Sequence, residues 1–118
     1  MSAPNPLPKY IYKIIPSAPE EPLPTPFPLS DLDAKDGFVH LSTATQVPKT
    51  ADLFFTKTSD LWLIKLELTK LADPLKWEGG FPHLYGNFGA VDVQSLTKFE
   101  RGQDQKWSES MNASTWLE

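Results

Sequence analysis

The chain has 118 residues with 40% hydrophobic content, enough for one domain with a small core and an expected radius of gyration of about 13 Å. Its net charge is −4, with ten scattered lysines and Arg101 as the one arginine, so the basic stripe of a general nucleic-acid binder is absent. It has no cysteine, which excludes disulfides, thiolate nucleophiles and Cys-type zinc sites, and no run near the ~20 apolar residues of a membrane span. The first residues carry no basic segment leading into an apolar core, so no signal peptide and a cytoplasmic location are expected.

Nine of the 12 prolines fall within the first 28 residues. Proline fixes φ and removes a backbone donor, so this region holds no long helix or central strand. Residues 1–8 read as a flexible tail and 9–99 as a single α+β domain. Tyr10 to Ile15 is aromatic and β-branched, predicting a strand that stops at Pro16. From Pro16 to Pro28 the chain reads as a stiff loop anchored by Leu23, Phe27 and Leu29. Its P-x-x-P spacings also suit a docking segment for a protein partner.

Asp36-Gly37 marks a turn, and Phe38 to Leu41 a short strand with Phe38 and His40 on one face. Thr43 and Gln46 have the form of a capping box, and Pro48, poor inside that helix, suits the first residue of a second one. In that helix Val47, Ala51, Phe54 and Phe55 form an apolar stripe toward the core. Leu61 to Leu68 is a strand with one continuous apolar face. Its other face passes from Leu61 and Leu63 to Lys65 and Glu67, predicting a half-solvated end.

Leu75 to Glu78 predicts a short partner strand, closed by a turn at Gly79-Gly80. Phe81 to Gly86 is extended, with Pro82 placing its start at a sheet edge or a bulge. Val91 to Phe99 holds a further strand. Residues 100–118 form a polar C-terminal tail whose heavy anchors are Trp107 and Trp116. The sum is five or six short strands with one or two helices, an α+β domain.

The candidate chemistry centres on the two histidines. An imidazole exchanges protons near neutral pH, and both rings sit in aromatic-flanked strands. At period two, Ser42 shares a face with His40 and Tyr85 with His83, so neighbouring strands would join all four into one polar wall. Glu78, beside Trp77 at a strand end, suits acid–base work or a hydrogen bond to a ribose hydroxyl. A metal site is not expected, because two histidines 43 residues apart lack metal-ligand spacing. Glycine-rich phosphate cradles are absent from the sequence.

The run Asp36-Gly37-Phe38-Val39-His40-Leu41-Ser42-Thr43-Ala44, continued by Gln46-Val47, Thr50-Ala51, Phe54-Phe55, Leu61-Trp62-Leu63, Trp77-Glu78 and Phe81-Pro82-His83-Leu84-Tyr85-Gly86, resembles the domain of unknown function 952 family. The resemblance extends from about residue 10 to about residue 97, and the insert Pro16 to Pro28 departs from the family pattern. It implies an ADP-ribosyltransferase-like fold, a split pair of small antiparallel sheets with one or two helices around a cleft that holds NAD in active relatives. It further implies His40 against the nicotinamide with Ser42 beside it, and Tyr12 or Lys13 in the place of the family group's ribose-gripping residue. Glu78, His83 or Tyr85 would stand for the late catalytic glutamate. The resulting expectation is a cleft that binds NAD or a related nucleotide-like ligand, with cleavage or transfer at the nicotinamide–ribose bond. The alternatives are a non-enzymatic interaction module and an acid–base enzyme for another small metabolite.

Overall fold

Two three-stranded antiparallel sheets carry the architecture in the computed structural model, which describes residues 3–112 and 114–118. The expected tail thus begins with two residues outside the described ones, and residues 3–8 carry no helix or strand. The first sheet has the order β1-β3-β6, with β1 at Tyr10–Ile15, β3 at Asp60–Glu67 and β6 at Val93–Glu100. The aromatic and β-branched residues of β1 pair along the whole strand, from Tyr10 opposite Glu67 to Ile15 opposite Trp62.

As the central strand, β3 is buried on both faces. Its predicted half-solvated end is corrected here, since Lys65 is only 2% exposed. The Lys65 ammonium donates to Trp116 O at 2.5 Å and Glu118 Oε2 at 2.7 Å, and lies 4.6 Å from the Trp116 ring centre and 4.9 Å from that of Tyr10. Residues more than fifty positions away therefore cover and satisfy the charge, as burial of an ammonium requires.

The second sheet has the order β2-β5-β4, formed by Val39–His40 (β2), Leu75–Glu78 (β4) and Phe81–Leu84 (β5). Gly79 and Gly80 join β4 to β5 with φ of +60° and +85°, the positive pair that a two-residue hairpin turn of matching twist demands. The expected edge position of Pro82 is also corrected, because β5 is the middle strand. Pro82 O accepts from Leu41 N at 3.2 Å. A strand residue's N–H and C=O face the same neighbour, so the missing donor lies toward β2, whose named strand has already ended at His40. One bridge joins the sheets: Tyr12 N donates to Ser42 O at 2.8 Å, and Ser42 N to Tyr12 O at 2.9 Å.

Three layers follow from the apolar pattern. Ile11, Ile64 and Leu66 of the first sheet meet Val39, Leu41 and Leu84 of the second, with Phe27 and Phe88 filling the same cluster. The opposite face of the first sheet, with Tyr10, Tyr12, Ile14, Leu61, Leu63 and Phe99, packs against helices. Helix α2 (Val47–Phe54) contributes Val47 and Ala51, and α3 (Trp107–Met111) contributes Trp107 and Met111. The C-terminal residues thus complete this core, and Trp107 Nε1 donates to Phe55 O at 2.9 Å.

In the turn before α2, Thr43 N donates to Gln46 Oε1 at 2.9 Å. Gln46 is itself the N-cap and makes no side-chain cap, so the expected capping box does not form on this helix; Pro48 occupies its first turn. The stripe is corrected at Phe54, which is 75% exposed. The chain leaves the helix at Phe55, whose φ of −122° and ψ of 46° turn that ring onto the core instead. A further helix, α1 (Asp31–Asp36), stands where only its closing turn was expected. Ser30 Oγ caps it by accepting from Asp33 N at 3.1 Å, and Gly37 ends it at φ +81°.

The proline segment runs without helix or strand into this frame. Phe27 is its anchor, stacked on Phe88 at 5.0 Å between ring centres, with Phe27 N donating to Phe88 O at 2.8 Å. Leu29, expected as a second anchor, is instead exposed. Phe27→Ala is expected to cost about 3 kcal/mol, the low end for a buried phenylalanine, in urea unfolding. An unchanged midpoint would mean that the segment contributes nothing to the core.

Candidate functional site

Strand alternation divides the second sheet into two unlike faces. Val39, Leu84, Leu75 and Trp77 point to the core, leaving Phe38, His40, His83, Lys76 and Glu78 on the outer face. The register sets His40 opposite His83 and His83 opposite Lys76. The two imidazole centres are 5.5 Å apart, and Phe38 stacks on His83 at 4.2 Å with an interplanar angle of 23°. Tyr85, the next outward residue after β5, brings its ring within 5.1 Å of Phe38.

Each imidazole has a carboxylate at Nδ1. His83 Nδ1 is 2.8 Å from Glu78 Oε1, and Tyr85 Oη donates to the same oxygen at 2.7 Å. The hydrogen bonds from Tyr85 and then His83 hold the Glu78 carboxyl below its ordinary value, while donating that bond to Glu78 raises the Tyr85 phenol. His40 Nδ1 is 2.7 Å from Asp33 Oδ1, and its Nε2 is 3.0 Å from Asp36 Oδ2. Three residues apart, these two aspartates share one face of α1, and that helix is what brings them to the ring.

Asp33 is the buried member of the site, 2% exposed. Its other oxygen, Oδ2, accepts from Lys13 Nζ at 2.6 Å, and Oδ1 also accepts from His40 N at 3.2 Å. Burial pushes this carboxyl up, but the hydrogen bonds from Lys13 and His40 and the Lys13 charge outweigh it, and the net shift is downward.

The structure therefore gathers His40, His83, Glu78 and Tyr85 on one surface, with Lys13 joined to it through Asp33. Ser42 is buried at the junction of the sheets. Tyr12 lies apart, since β1 alternation turns it to the opposite core cluster from Ile11. Its hydroxyl accepts from Glu118 N at 2.7 Å, and burial raises its phenol. The expected cleft between the sheets is corrected as well, because that space is the Ile11, Ile64, Leu66, Val39, Leu41 and Leu84 core.

Sequence reasoning placed Phe38 on the face of His40 and Asp36 in a turn but gave no site role to either, and it passed over Asp33 and Lys76. The available signal for the aspartates was Ser30-x-x-Asp33, a capping pattern that would have placed α1. Two depressions lie elsewhere: one of about 380 Å³ bounded by Lys13, Ser30 and the proline segment, and one of about 590 Å³ between loops 56–59 and 101–106. Among the described residues no group of three or more His, Asp or Glu side chains is placed to hold a metal ion, and no helix is long and apolar enough to cross a membrane.

Comparison with known proteins bears on the same stretch. A family model described as Protein of unknown function (DUF952) matches residues 24–96, starting inside the proline segment and spanning both histidines. The crystal structure of protein CC0527 from Caulobacter crescentus is 33% identical with a TM-score of 0.70, covering 82% of this chain and 91% of that one. A solution structure of CC0527 is 30% identical with a TM-score of 0.62, covering 81% and 89%. None of the curated proteins matches. With more than half of its residues and both histidine strands inside the family match, the chain belongs to the DUF952 family.

Proposed function

We propose that the outer face of the second sheet is a small-molecule site where the histidine pair does acid–base work, and that its ligand is NAD or a related nucleotide. The observation that carries the acid–base part is the doubled imidazole–carboxylate arrangement, two rings 5.5 Å apart with a carboxylate on each Nδ1. A carboxylate at one ring nitrogen orients the imidazole and stabilises the cation formed when the other takes a proton. Phe38 adds an aromatic surface beside His83 for a planar ring.

The nucleotide part rests on the resemblance to ADP-ribosyltransferase-like proteins, which also have small split antiparallel sheets. In that reaction the nicotinamide–ribose bond breaks with its electron pair leaving on nicotinamide. A carboxylate such as Glu78 would stabilise the positive charge left on the ribose, and an imidazole would take the acceptor's proton. The test is titration with NAD and ADP-ribose followed by NMR shift mapping. Shifts clustered at Phe38, His40, His83 and Tyr85 are expected. Their absence ends the nucleotide assignment and leaves the acid–base site to another small metabolite.

A second reading is an interaction module that docks through the proline segment, supported by the exposure of Pro16, Pro22, Pro26 and Pro28.

A further inference from the structure

Resting on the acid–base reading of this face, we infer that the two histidines have different jobs: His83 carries the proton, and His40 is a fixed ring clamped by α1. A carboxylate only accepts hydrogen bonds, so the neutral His83 ring carries its hydrogen on Nδ1, toward Glu78 Oε1 at 2.8 Å. The lone pair is then on Nε2. That atom has no hydrogen-bond partner among the described residues, yet no buried side-chain nitrogen or oxygen there lacks one, so Nε2 opens to solvent.

His40 is placed differently. Its Nδ1 is 2.7 Å from Asp33, a carboxylate itself gripped by Lys13, and its Nε2 faces Asp36 Oδ2 at 3.0 Å. Its Nε2 therefore lies against a carboxylate, whereas among the described residues no carboxylate faces Nε2 of His83. The groups around His83 are Glu78 and Lys76 from β4, Tyr85 on its own side of the hairpin, and Phe38 and His40 from the β2 side.

In the step itself an X–H bond of the ligand breaks, its electron pair stays on X, and the proton forms Nε2–H. His83 becomes an imidazolium whose Nδ1–H still donates to Glu78. In this proton transfer Glu78 acts through His83 by holding its Nδ1–H, and Tyr85 holds Glu78 by donating to the shared oxygen.

Carbethoxylation with diethyl pyrocarbonate separates the roles, because the reagent needs an unprotonated, unobstructed ring nitrogen. Exposure alone predicts faster reaction at His40, whose side chain is 32% exposed against 16% for His83. The role assignment predicts the reverse, with His83 about threefold faster because Nε2 of His40 must first leave the Asp36 carboxylate. Faster modification of His40 overturns it.

The tautomer gives a second readout, from ring ¹⁵N shifts of the neutral imidazoles. His83 is expected as Nδ1–H in the native chain and in Tyr85→Phe, and as the mixture found in water in Glu78→Ala. A native His83 carrying its hydrogen on Nε2 also overturns the assignment. If NAD fails to bind while reactivity and tautomer hold, the ligand assignment falls and the proton role stands.

Discussion

Trp107→Ala is expected to cost about 4 kcal/mol of folding stability, the middle of the range for emptying a fully buried tryptophan site. Trp107 has no exposed surface and sits among Tyr10, Tyr12, Leu61, Leu63 and Met111 in the cluster beneath the helices. Truncation also takes the indole N–H from Phe55 O at the end of α2, leaving that oxygen the long bond from Thr58 Oγ1 at 3.5 Å. The Arg101 guanidinium, 5.1 Å from the ring centre, loses its aromatic neighbour as well.

Against the ~5–15 kcal/mol that holds a domain folded, this leaves little reserve. The thermal midpoint should fall by about 15 °C for a chain of this length. The check is urea unfolding, where the midpoint should drop while the slope is retained. A loss under about 1 kcal/mol would show that the neighbouring side chains close over the site, the one route by which such a cavity becomes cheap.

The same residue shows how far the sequence could be read. Its core position depends on residues of β1 and β3 that lie 44 to 97 positions earlier, and no local pattern in a polar tail announces them. Strands β1, β3, β4 and β5 were legible because their signals are local: β-branched and aromatic runs, period-two alternation and the Gly79-Gly80 turn. Lys65 was misread by that same alternation. Period two assigns it a face but says nothing about what covers the face, and Trp116 with Glu118 does so from the far end of the chain. Of the α2 stripe only Phe54 was misread, because the helix ends there, while Phe55 just beyond it keeps its expected place on the core.

The site divides along the same line. His40, His83, Glu78 and Tyr85 share a face by strand parity, so their meeting needed only the correct pairing of β5 with β2 and with β4. Asp33 and Asp36 come from α1, six residues with a single large apolar side chain, Leu32, that is itself exposed. A helix that buries no apolar stripe leaves no 3.6-residue signal. It exists because Ser30 and Gly37 cap it and because Asp33 is bonded to Lys13 and His40.

That bonding makes Asp33→Ala the second large effect, expected at about 3–5 kcal/mol because it leaves the Lys13 ammonium buried and unpaired. Lys13→Met combined with Asp33→Leu should recover much of the loss, since removing both charges removes the desolvation penalty with the attraction. The pH dependence has a definite sign. The folded Asp33 carboxyl titrates below its ordinary value, its burial outweighed by the bonds from Lys13 and His40. As acid is added, the unfolded chain therefore takes up this proton first. The stabilisation is complete above about pH 4 and is lost as pH falls through the lower folded value. Asp33→Asn keeps the shape but has no such proton to differ over. Its stability should start lower and decline less between about pH 4 and pH 2 than that of the native chain. Parallel acid limbs for the two proteins in urea midpoints would show that Asp33 is not ionised against Lys13 in the folded state.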